Sequence, residues 1–158
     1  MFDLMEIRPG SPSDAEAIAR LIDSFQSELT DDPSGAGAES YLATVSVDAE
    51  REYLSSPRYR YLLAYEGPQL AGVIAIRDGS HLFHLFVART HQRQGLARAL
   101  WEQALHELGP SENQGAFTVN SSLVAVPVYR ALGFVPAGEI TRLHGISFLP
   151  MQRPSSLA

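Results

Sequence analysis

One stretch of the chain, residues 81–108, constrains the possible folds more than any other. Residues 81–87 form an apolar and aromatic run that predicts a β-strand. A polar loop without proline follows, and beyond it apolar residues recur at helical spacing, at Ala97, Leu100, Trp101, Ala104, Leu105 and Leu108. Gly95 lies where the loop becomes the helix. The stretch therefore predicts a strand, a short polar loop and an amphipathic helix.

The start of this helix has the chemistry of an anion-binding site. About four backbone N–H groups at a helix N-terminus lack internal partners, and the helix dipole adds partial positive charge there. Gly95 would let a ligand approach the main chain closely, and Arg93 and Arg98 would add full charges nearby. These features predict a site for a phosphate or pyrophosphate. The alternative is that Gly95 serves only the geometry of the helix start.

The N-terminal third of the chain predicts one strand and two helices. A short strand is expected at Leu4–Arg8, a helix at about Asp14–Leu29 and a second helix at about Val47–Leu54. Residues 30–40 between the helices are rich in Gly, Ser, Asp and Pro. This composition is typical either of a plain connection or of a mobile rim over a substrate site.

Three strands in the middle of the chain predict an antiparallel meander. Arg60–Glu66 and Gln69–Arg77 are joined by a Gly-Pro turn, and an Asp-Gly turn leads on to the strand at residues 81–87. Such a meander excludes a doubly wound nucleotide-binding sheet as the core of the fold.

The C-terminal third predicts a strand, a short helix and a final strand pair. Gly109-Pro110 breaks the chain after the long helix. The elements expected beyond it are a strand at Ala116–Asn120, a helix capped by Ser121 or Ser122 that ends at Leu132, and strands at Phe134–Ala137 and Leu143–Met151.

Length and composition describe one ordinary globular domain. The chain has 158 residues, of which 45% are hydrophobic and 19% charged. Residues 1–153 are expected to form a single domain, followed by a frayed tail at residues 154–158. No apolar run approaches the roughly twenty residues that cross a membrane, and the N-terminus lacks a secretory pattern. A cytoplasmic protein without membrane contact is therefore expected.

Charge and cysteine content narrow the chemistry. The sequence has no cysteine, which excludes disulfides, thiolate metal sites and a cysteine nucleophile. It has five histidines, but neither an H-E-x-x-H nor an H-x-x-E-H spacing, so no metal site is predicted. The net charge of −6 argues against nucleic-acid binding, because neutralising phosphates needs a basic face.

Two segments together resemble the GCN5-related N-acetyltransferases, the GNAT superfamily. Residues 87–97, VARTHQRQGLA, are similar to its motif A, in which Gln or Arg is followed by two residues, Gly, one residue, and Gly or Ala. Residues 120–134, NSSLVAVPVYRALGF, are similar to motif B, with Asn at a strand end, a helix that carries Tyr, and Leu-Gly-Phe. The resemblance covers nearly the whole chain in the right order.

The resemblance implies a mixed α+β GNAT fold. Its central, mostly antiparallel sheet would have six to seven strands, splayed into a V and flanked by about four helices. It also implies a cytoplasmic enzyme of bacterial type that moves an acetyl group directly from acetyl-coenzyme A to a primary amine of a small molecule or protein, without a metal. Pairing of two identical chains through the last strands is a further expectation from the resemblance.

The resemblance also implies a site for acetyl-coenzyme A. Backbone amides of Gln92–Ala97 would bind the pyrophosphate, and the pantetheine arm would run along the strand end inside the V. The residues expected to contact the cofactor are Leu85, Phe86, Val87, Gln92, Arg93, Gln94, Gly95, Leu96, Ala97, Arg98, Asn120 and Tyr129. Asn120 has the alternative of merely ending its strand.

Candidate catalytic groups follow from the same comparison. Tyr129 matches the motif B tyrosine, which resembles a general acid towards the coenzyme A sulfur; the alternative is that its ring only packs. His81 lies six residues before Val87, where family members often carry a Glu or His used as general base. His84 is a second candidate, although strand alternation predicts that it faces the other side. Water-relayed proton loss is the third alternative. Two further histidines, His91 and His106, are expected at the surface.

Two classes of function stay open at this point. The first is an acetyl-coenzyme A-dependent N-acetyltransferase, and the second is a non-catalytic acyl-coenzyme A-binding or regulatory module on the same fold. Tyr129 together with Asn120 favours the enzyme, because a pure binder has no use for a phenol at the sulfur. The acceptor is not indicated by the sequence, since residues 30–40, the second helix and residues 138–142 would shape its site and carry no clear pattern.

Overall fold

A sheet of eight strands forms the centre of the structure. The computed structural model describes residues 5–108 and 116–154. The strands are β1 (Met5–Pro9), β2 (Tyr59–Glu66), β3 (Gln69–Arg77), β4 (His81–Val87), β5 (Phe117–Ser122), β6 (Val135–Pro136), β7 (Thr141–Leu143) and β8 (Ile146–Arg153). The α-helices of the described residues are α1 (Ala15–Asp23), α2 (Gln26–Leu29), α3 (Glu39–Ala43), α4 (Val47–Ser55), α5 (Leu96–Leu108) and α6 (Val126–Ala131). Short 3-10 turns lie at Pro12–Asp14 and Arg89–His91.

The strand order confirms the fold class predicted from the motifs. The sheet runs β1-β2-β3-β4-β5-β8-β6, and β7 pairs with β8 beside β6. Every pairing is antiparallel except that of β4 with β5. The predicted meander is therefore confirmed. The sheet has eight strands, one more than the upper expectation, because the expected last strand is a hairpin of β7 and β8.

Helices cover both faces of the sheet. On one face, Leu96, Leu100 and Trp101 of α5 pack with Ile74 and Leu82 of the sheet. On the other face, α1 contributes a second cluster around Val73 and Tyr61, which contains its residues Ile18, Leu21 and Ile22. Each fully buried aliphatic side chain contributes roughly 1.5–3 kcal/mol relative to an exposed one. The two clusters thus place the sheet between two layers of helices.

Gly72 on β3 lets α5 approach the sheet closely. A Cβ at this position would lie 3.0 Å from Leu100 Cδ1, 3.3 Å from Leu96 Cδ2 and 3.2 Å from the Phe86 carbonyl oxygen. The first turns of α5 therefore pack directly on β3, next to the end of β4. This contact fixes where the helix N-terminus lies relative to the sheet.

The helix expected at Asp14–Leu29 is interrupted. It is divided into α1 and α2 at Ser24 and Phe25. The Ser24 hydroxyl donates to the Leu21 carbonyl at 2.6 Å, and the Phe25 amide donates to the Ile22 carbonyl at 2.9 Å. These local bonds compete with the regular helical pattern and tighten the chain there.

The C-terminal segment also differs from the prediction. The strand β5 continues to Ser122, so neither Ser121 nor Ser122 caps α6, which begins only at Val126. The hairpin of β7 and β8 turns at His144 and Gly145, which have φ values of 54° and 78°. Two successive positive φ values are typical of a type I′ turn. The turn was not predicted because its first position holds histidine, whereas type I′ turns favour Asn, Asp or Gly there. The predictions for Leu4, for Gly109-Pro110 and for residues 155–158 lie outside the described residues.

Within the two described ranges, none of the helices is both long and apolar enough to cross a lipid bilayer.

Candidate active site

The strands β4 and β5 are paired at one end only. Their parallel register comprises His81 with Thr118 and Leu82 with Val119. From His84 to Val87, β4 pairs with β3 but has no partner on its β5 side among the described residues. The two strands thus diverge, and we call the space between them beyond Leu82 and Val119 the β4–β5 slot. An unpaired strand edge presents N–H and C=O groups to an extended ligand.

The start of α5 lies just beyond the open end of the slot. Arg93 and Gly95 have φ values of 63° and 81°, so the chain makes a left-handed bend before the helix begins. The first backbone bond of the helix runs from the Ala99 amide to the Gly95 carbonyl at 3.0 Å, which leaves the amides before Ala99 available to a ligand. The side chain of Gln92 folds back and donates to the Val87 carbonyl at 3.0 Å. This hydrogen bond connects the bend to the end of β4.

The two arginines near this bend have different surroundings. Arg98 donates to the Ala131 carbonyl at 2.6 Å and thereby joins α5 to the end of α6. Arg93 is exposed and makes no side-chain hydrogen bond or ion pair with the rest of the described chain. Gln94 and Ala97 are half-buried, whereas Leu96 is buried in the core. Arg93 is thus the better placed of the two cations to meet an anion.

Tyr129 is buried on α6 with its ring at 5.7 Å from that of Phe134. Its hydroxyl makes no hydrogen bond within the described residues, where every buried side-chain polar atom has a partner. The hydroxyl must therefore keep contact with accessible space. Burial, with a smaller contribution from Tyr41, raises the pKa of Tyr129. The phenol consequently keeps its proton at neutral pH, as a proton donor must.

Asn120 lies on the exposed side of β5. Along β5 the side chains of Phe117, Val119 and Ser121 point into the core, and those of Thr118 and Asn120 point away from it. The side chain of Asn120 makes no hydrogen bond with the described residues. Its amide is therefore free to contact a ligand.

His81 lies at the closed end of the slot. Its Nδ1 is 2.8 Å from the Thr118 hydroxyl, across the last paired position of the two strands. Burial and the nearby charge of Arg77 lower the pKa of His81, against an opposing effect of Asp78. Proton uptake by His81 is therefore disfavoured.

A β-bulge brings His84 to the same face of β4 as His81. Arg77 pairs with His81 and Ala75 pairs with His84. These residues are two positions apart on β3, whereas their partners are three positions apart on β4. Phe83 is the extra residue. The prediction that His84 faces the other side of the strand was therefore wrong, because strand alternation fails across a bulge.

His84 is held by a fully buried carboxylate. Its Nε2 lies 2.8 Å from Glu50 Oε2, and the Tyr61 hydroxyl donates to Glu50 Oε1 at 2.6 Å. Glu50 has 0% and His84 5% of its surface exposed. Burial, with a smaller contribution from Glu50, raises the pKa of Tyr41 to about 12.

Glu50 and Tyr41 were missed by sequence reasoning. Glu50 lies among Asp48, Arg51 and Glu52 on α4, a charged composition that indicates a solvated helix face. Its one distinguishing sign is that it shares a helical stripe with Tyr53 and Leu54, three and four residues further on. The surface placement expected for His91 was also wrong. Its Nε2 lies 2.9 Å from Glu66 Oε1 and the residue is buried.

Residues 30–38 contact the β7–β8 hairpin through hydrogen bonds and a close backbone approach. The Asp31 amide donates to the Gly145 carbonyl at 2.8 Å, and the Ser147 hydroxyl donates to Asp31 Oδ1 at 2.6 Å. A Cβ on Gly145 would lie 2.5 Å from the Gly37 carbonyl oxygen. The Gly-rich segment expected to shape the acceptor site thus contacts the turn that follows residues 138–142, backbone to backbone.

Substitution of Gly145 by alanine is expected to separate these segments. The new methyl group would clash with the Gly37 carbonyl, and the residue would also be strained at its φ of 78°. Gly37→Ala is the matched control, because Gly37 has a φ of 85° and space around its Cβ. The control should cost only the strain of about 1–2 kcal/mol. Thermal unfolding should show a clearly larger loss for Gly145→Ala, and equal losses would contradict the contact.

Alkaline pH is expected to destabilise the fold. Burial raises the pKa values of Tyr61, Tyr129 and Tyr41, the last to about 12. Above a pH of about 10 the unfolded chain loses tyrosine protons that the folded chain keeps, so the free energy of unfolding falls as the pH rises. The chain contains no lysine or cysteine to titrate in this range. Urea unfolding between about pH 8 and 11 tests this. A flat profile would contradict it, and Tyr61→Phe should make the decline shallower.

Across residues 5–108 and 116–154, no three His, Cys, Asp or Glu side chains come together as a metal-binding group.

Comparisons of the sequence identify the family. A model of the acetyltransferase (GNAT) domain matches residues 29–154. The bS18-alanine N-acetyltransferase of Escherichia coli K12 is 34% identical over 96 residues, which are 54% of this chain and 63% of that relative. N-acetyltransferase family 8 member 3 of Rattus norvegicus is 31% identical over 103 residues, 58% of this chain and 45% of the relative. The chain thus matches less than two thirds of the length of these curated relatives.

Solved structures share the fold. A GCN5-related N-acetyltransferase from Rhodopseudomonas palustris superposes with a TM-score of 0.74 at 18% identity over 94% of both chains. PaiA N-acetyltransferase from Thermoplasma acidophilum, solved with coenzyme A, gives 0.68 at 17% identity over 95% of this chain and 98% of that chain. The ribosomal-protein-S18-alanine N-acetyltransferase of Escherichia coli gives 0.67 at 21% identity over 98% and 96%. The family match over residues 29–154 confirms what the two motifs predicted, and this chain belongs to the GNAT acetyltransferases.

Proposed function

We propose that this protein is an N-acetyltransferase that moves the acetyl group of acetyl-coenzyme A directly to a primary amine. The observation that carries the proposal is the divergence of β4 from β5 immediately beside the start of α5. One acetyl-coenzyme A molecule could then place its diphosphate at the helix start and its pantetheine arm in the slot. The coenzyme A complex of the Thermoplasma acidophilum neighbour supports this co-substrate.

The residues at the helix start fit a diphosphate. The amides that precede Ala99 lack helical partners, and the left-handed bend at Arg93 and Gly95 turns the main chain there. Helix dipole and free N–H groups both favour an anion at this place. The exposed guanidinium of Arg93 would add a full positive charge. The unpaired edge of Leu85–Val87 would offer main-chain hydrogen bonds to the amides of the pantetheine arm.

The thioester of acetyl-coenzyme A supplies an activated acetyl group. Its transfer requires that the amine lose a proton, that a C–N bond form and the C–S bond break, and that the leaving sulfur gain a proton. Tyr129 would donate that last proton, which its raised pKa keeps available at neutral pH. An amine-side proton acceptor is also needed, and both His81 and His84 lie on the face of β4 towards α4.

An N-terminal protein amine is the first acceptor to test. The bS18-alanine N-acetyltransferase of Escherichia coli acts, by its name, on an alanine of a ribosomal protein. Because this chain matches 63% of that relative, its acceptor has to be established separately. A panel should contain a peptide with N-terminal alanine, the same peptide with a blocked N-terminus and an internal lysine, and small mono- and polyamines.

Thiol release across this panel tests the proposal. Turnover above the amine-free rate is expected for at least one acceptor, and acetyl-pantetheine, which lacks the diphosphate, should react far more slowly. The lysine-free sequence limits background self-acetylation to the N-terminal amine. Tight coenzyme A binding by calorimetry without turnover would instead favour the non-catalytic acyl-coenzyme A-binding or regulatory module. Absence of binding would contradict both.

A further inference from the structure

We propose that His84, held by the buried carboxylate of Glu50, accepts the proton of the acceptor amine. His84 would be a catalytic residue, and Glu50 a positioning residue that acts through it. This inference rests on the proposed function and names a group in the same site. It differs from the expectation for His81, which the sequence pattern favoured.

His84 is the histidine that lies in the divergent part of β4. The last residue of β4 that pairs with β5 is Leu82. His81 precedes it, at the closed end of the slot, whereas His84 follows it. The bulge at Phe83 turns His84 to the face of the sheet covered by α1 and α4. His84 therefore stands between the closed end of the slot and the strand edge proposed to hold the pantetheine arm.

The carboxylate of Glu50 fixes the orientation of this imidazole. Its two oxygens have different partners, the Tyr61 hydroxyl at 2.6 Å and His84 Nε2 at 2.8 Å. A carboxylate buried without such bonds would be strongly disfavoured. With Glu50 ionised, Nε2 carries the proton that it donates, and the lone pair of the neutral ring lies on Nδ1.

The second nitrogen of His84 remains open. Nδ1 makes no hydrogen bond with the described residues, among which no buried side-chain nitrogen or oxygen lacks a partner. Nδ1 must therefore keep contact with accessible space even though the residue is 5% exposed. A ring nitrogen with a free lone pair, opposite a nitrogen fixed by a carboxylate, is the arrangement of a general base.

His81 has the opposite properties. Its Nδ1 already contacts the Thr118 hydroxyl, and the positive charge of Arg77 lies nearby. A cation beside an imidazole disfavours its protonated form. The open Nδ1 of His84, compared with the occupied Nδ1 of His81, thus assigns proton uptake to His84.

Tyr41 of α3 links this pair to the proposed proton donor. It is close enough to Glu50 and to Tyr129 to take part in the electrostatics of both. The other groups around His84 that can ionise are Tyr61 on β2, Tyr53 on α4, and Arg77 and His81 on the sheet. Among these described groups, Glu50 is the one hydrogen-bonded to the His84 ring.

The proposed step is balanced. The amine proton passes to His84 Nδ1 while the nitrogen lone pair forms the C–N bond to the acetyl carbon. The C–S bond breaks, and its electron pair leaves with the sulfur, which takes the proton of Tyr129. His84 then loses its proton to water and Tyr129 regains one, so the enzyme returns to its starting state.

The test compares His84→Gln, Glu50→Gln and His81→Gln by their pH profiles of kcat/KM, with acetyl-CoA and the best amine of the panel. His84→Gln should lose roughly a hundredfold or more in kcat, the lower range of general base contributions. Glu50→Gln keeps the shape of the side chain but removes its charge. The acid limb of its pH profile should therefore move to lower pH. His81→Gln should retain the wild-type limb.

Folding and alternative roles are controlled separately. Coenzyme A affinity by calorimetry shows whether each variant is folded, and Tyr61→Phe removes the other bond to Glu50 without touching His84. Added imidazole should partly restore His84→Ala, which a purely structural histidine would not allow. Full activity of His84→Gln, or a loss confined to His81→Gln, would overturn the assignment while leaving the proposed function intact. A wild-type chain that is silent with every amine would overturn both.

Discussion

Replacing Gly95 by valine is expected to weaken coenzyme A binding by roughly a hundredfold, the loss of about two charge-assisted hydrogen bonds. Gly95 has a φ of 81°, which a β-branched residue adopts only under strain. The chain would leave this bend, and the free amides before Ala99 would no longer converge on a diphosphate. The side chain would also occupy the place that the ligand must approach. Isothermal titration calorimetry with coenzyme A measures the effect directly.

Gly67→Val is the matched control for this experiment. Gly67 has a φ of 57° in the turn between β2 and β3, and space around its Cβ. Both substitutions should lower stability by about 1–3 kcal/mol through backbone strain. Only Gly95→Val should lose the ligand. Unchanged affinity in Gly95→Val would remove the helix start from the binding site and with it the proposed function.

Replacing Tyr129 by phenylalanine is expected to reduce kcat roughly a hundredfold or more, because the leaving sulfur would lose its proton donor. The KM for acetyl-CoA should change little, since the ring and its contact with Phe134 remain. Stability should also change little, because the hydroxyl has no hydrogen-bond partner among the described residues to lose. Steady-state kinetics and urea unfolding of the same preparation measure both quantities.

Tyr65→Phe should show the reverse behaviour. Its hydroxyl donates to Asp14 at 3.0 Å, next to the bidentate contact of Arg8 with the same carboxylate. Loss of this bond should cost about 1 kcal/mol of stability and leave kcat unchanged. If Tyr129→Phe instead loses stability and keeps its kcat, the tyrosine serves packing alone.

The predicted elements that proved accurate are those whose signal is local. The strand at residues 81–87 and the helix ending at Leu108 appear where the apolar pattern placed them. The meander followed from two turns rich in Gly, Asp and Pro. Such features depend on a few neighbouring residues, so the sequence contains the information directly.

Features that depend on contacts between distant residues were missed or misplaced. The bulge at Phe83 arises from the register of β4 against β3, and no residue type within the strand predicts it. Glu50 has the sequence surroundings of a solvated residue, yet it is buried because α4 packs on α1 and β2, where Tyr61 and His84 bind its carboxylate. His91 is buried for a similar reason, its contact with Glu66.

The sequence by itself determined the mixed fold, the family and the place of the helix start, because periodicity, turn residues and two spaced motifs are written along the chain. Only the tertiary structure decided which histidine lies in the slot and which carboxylate holds it. A one-residue bulge reverses the side on which a strand residue lies, and burial of a charge depends on partners far away in the chain. The local sequence pattern therefore predicts neither the bulge nor the buried carboxylate.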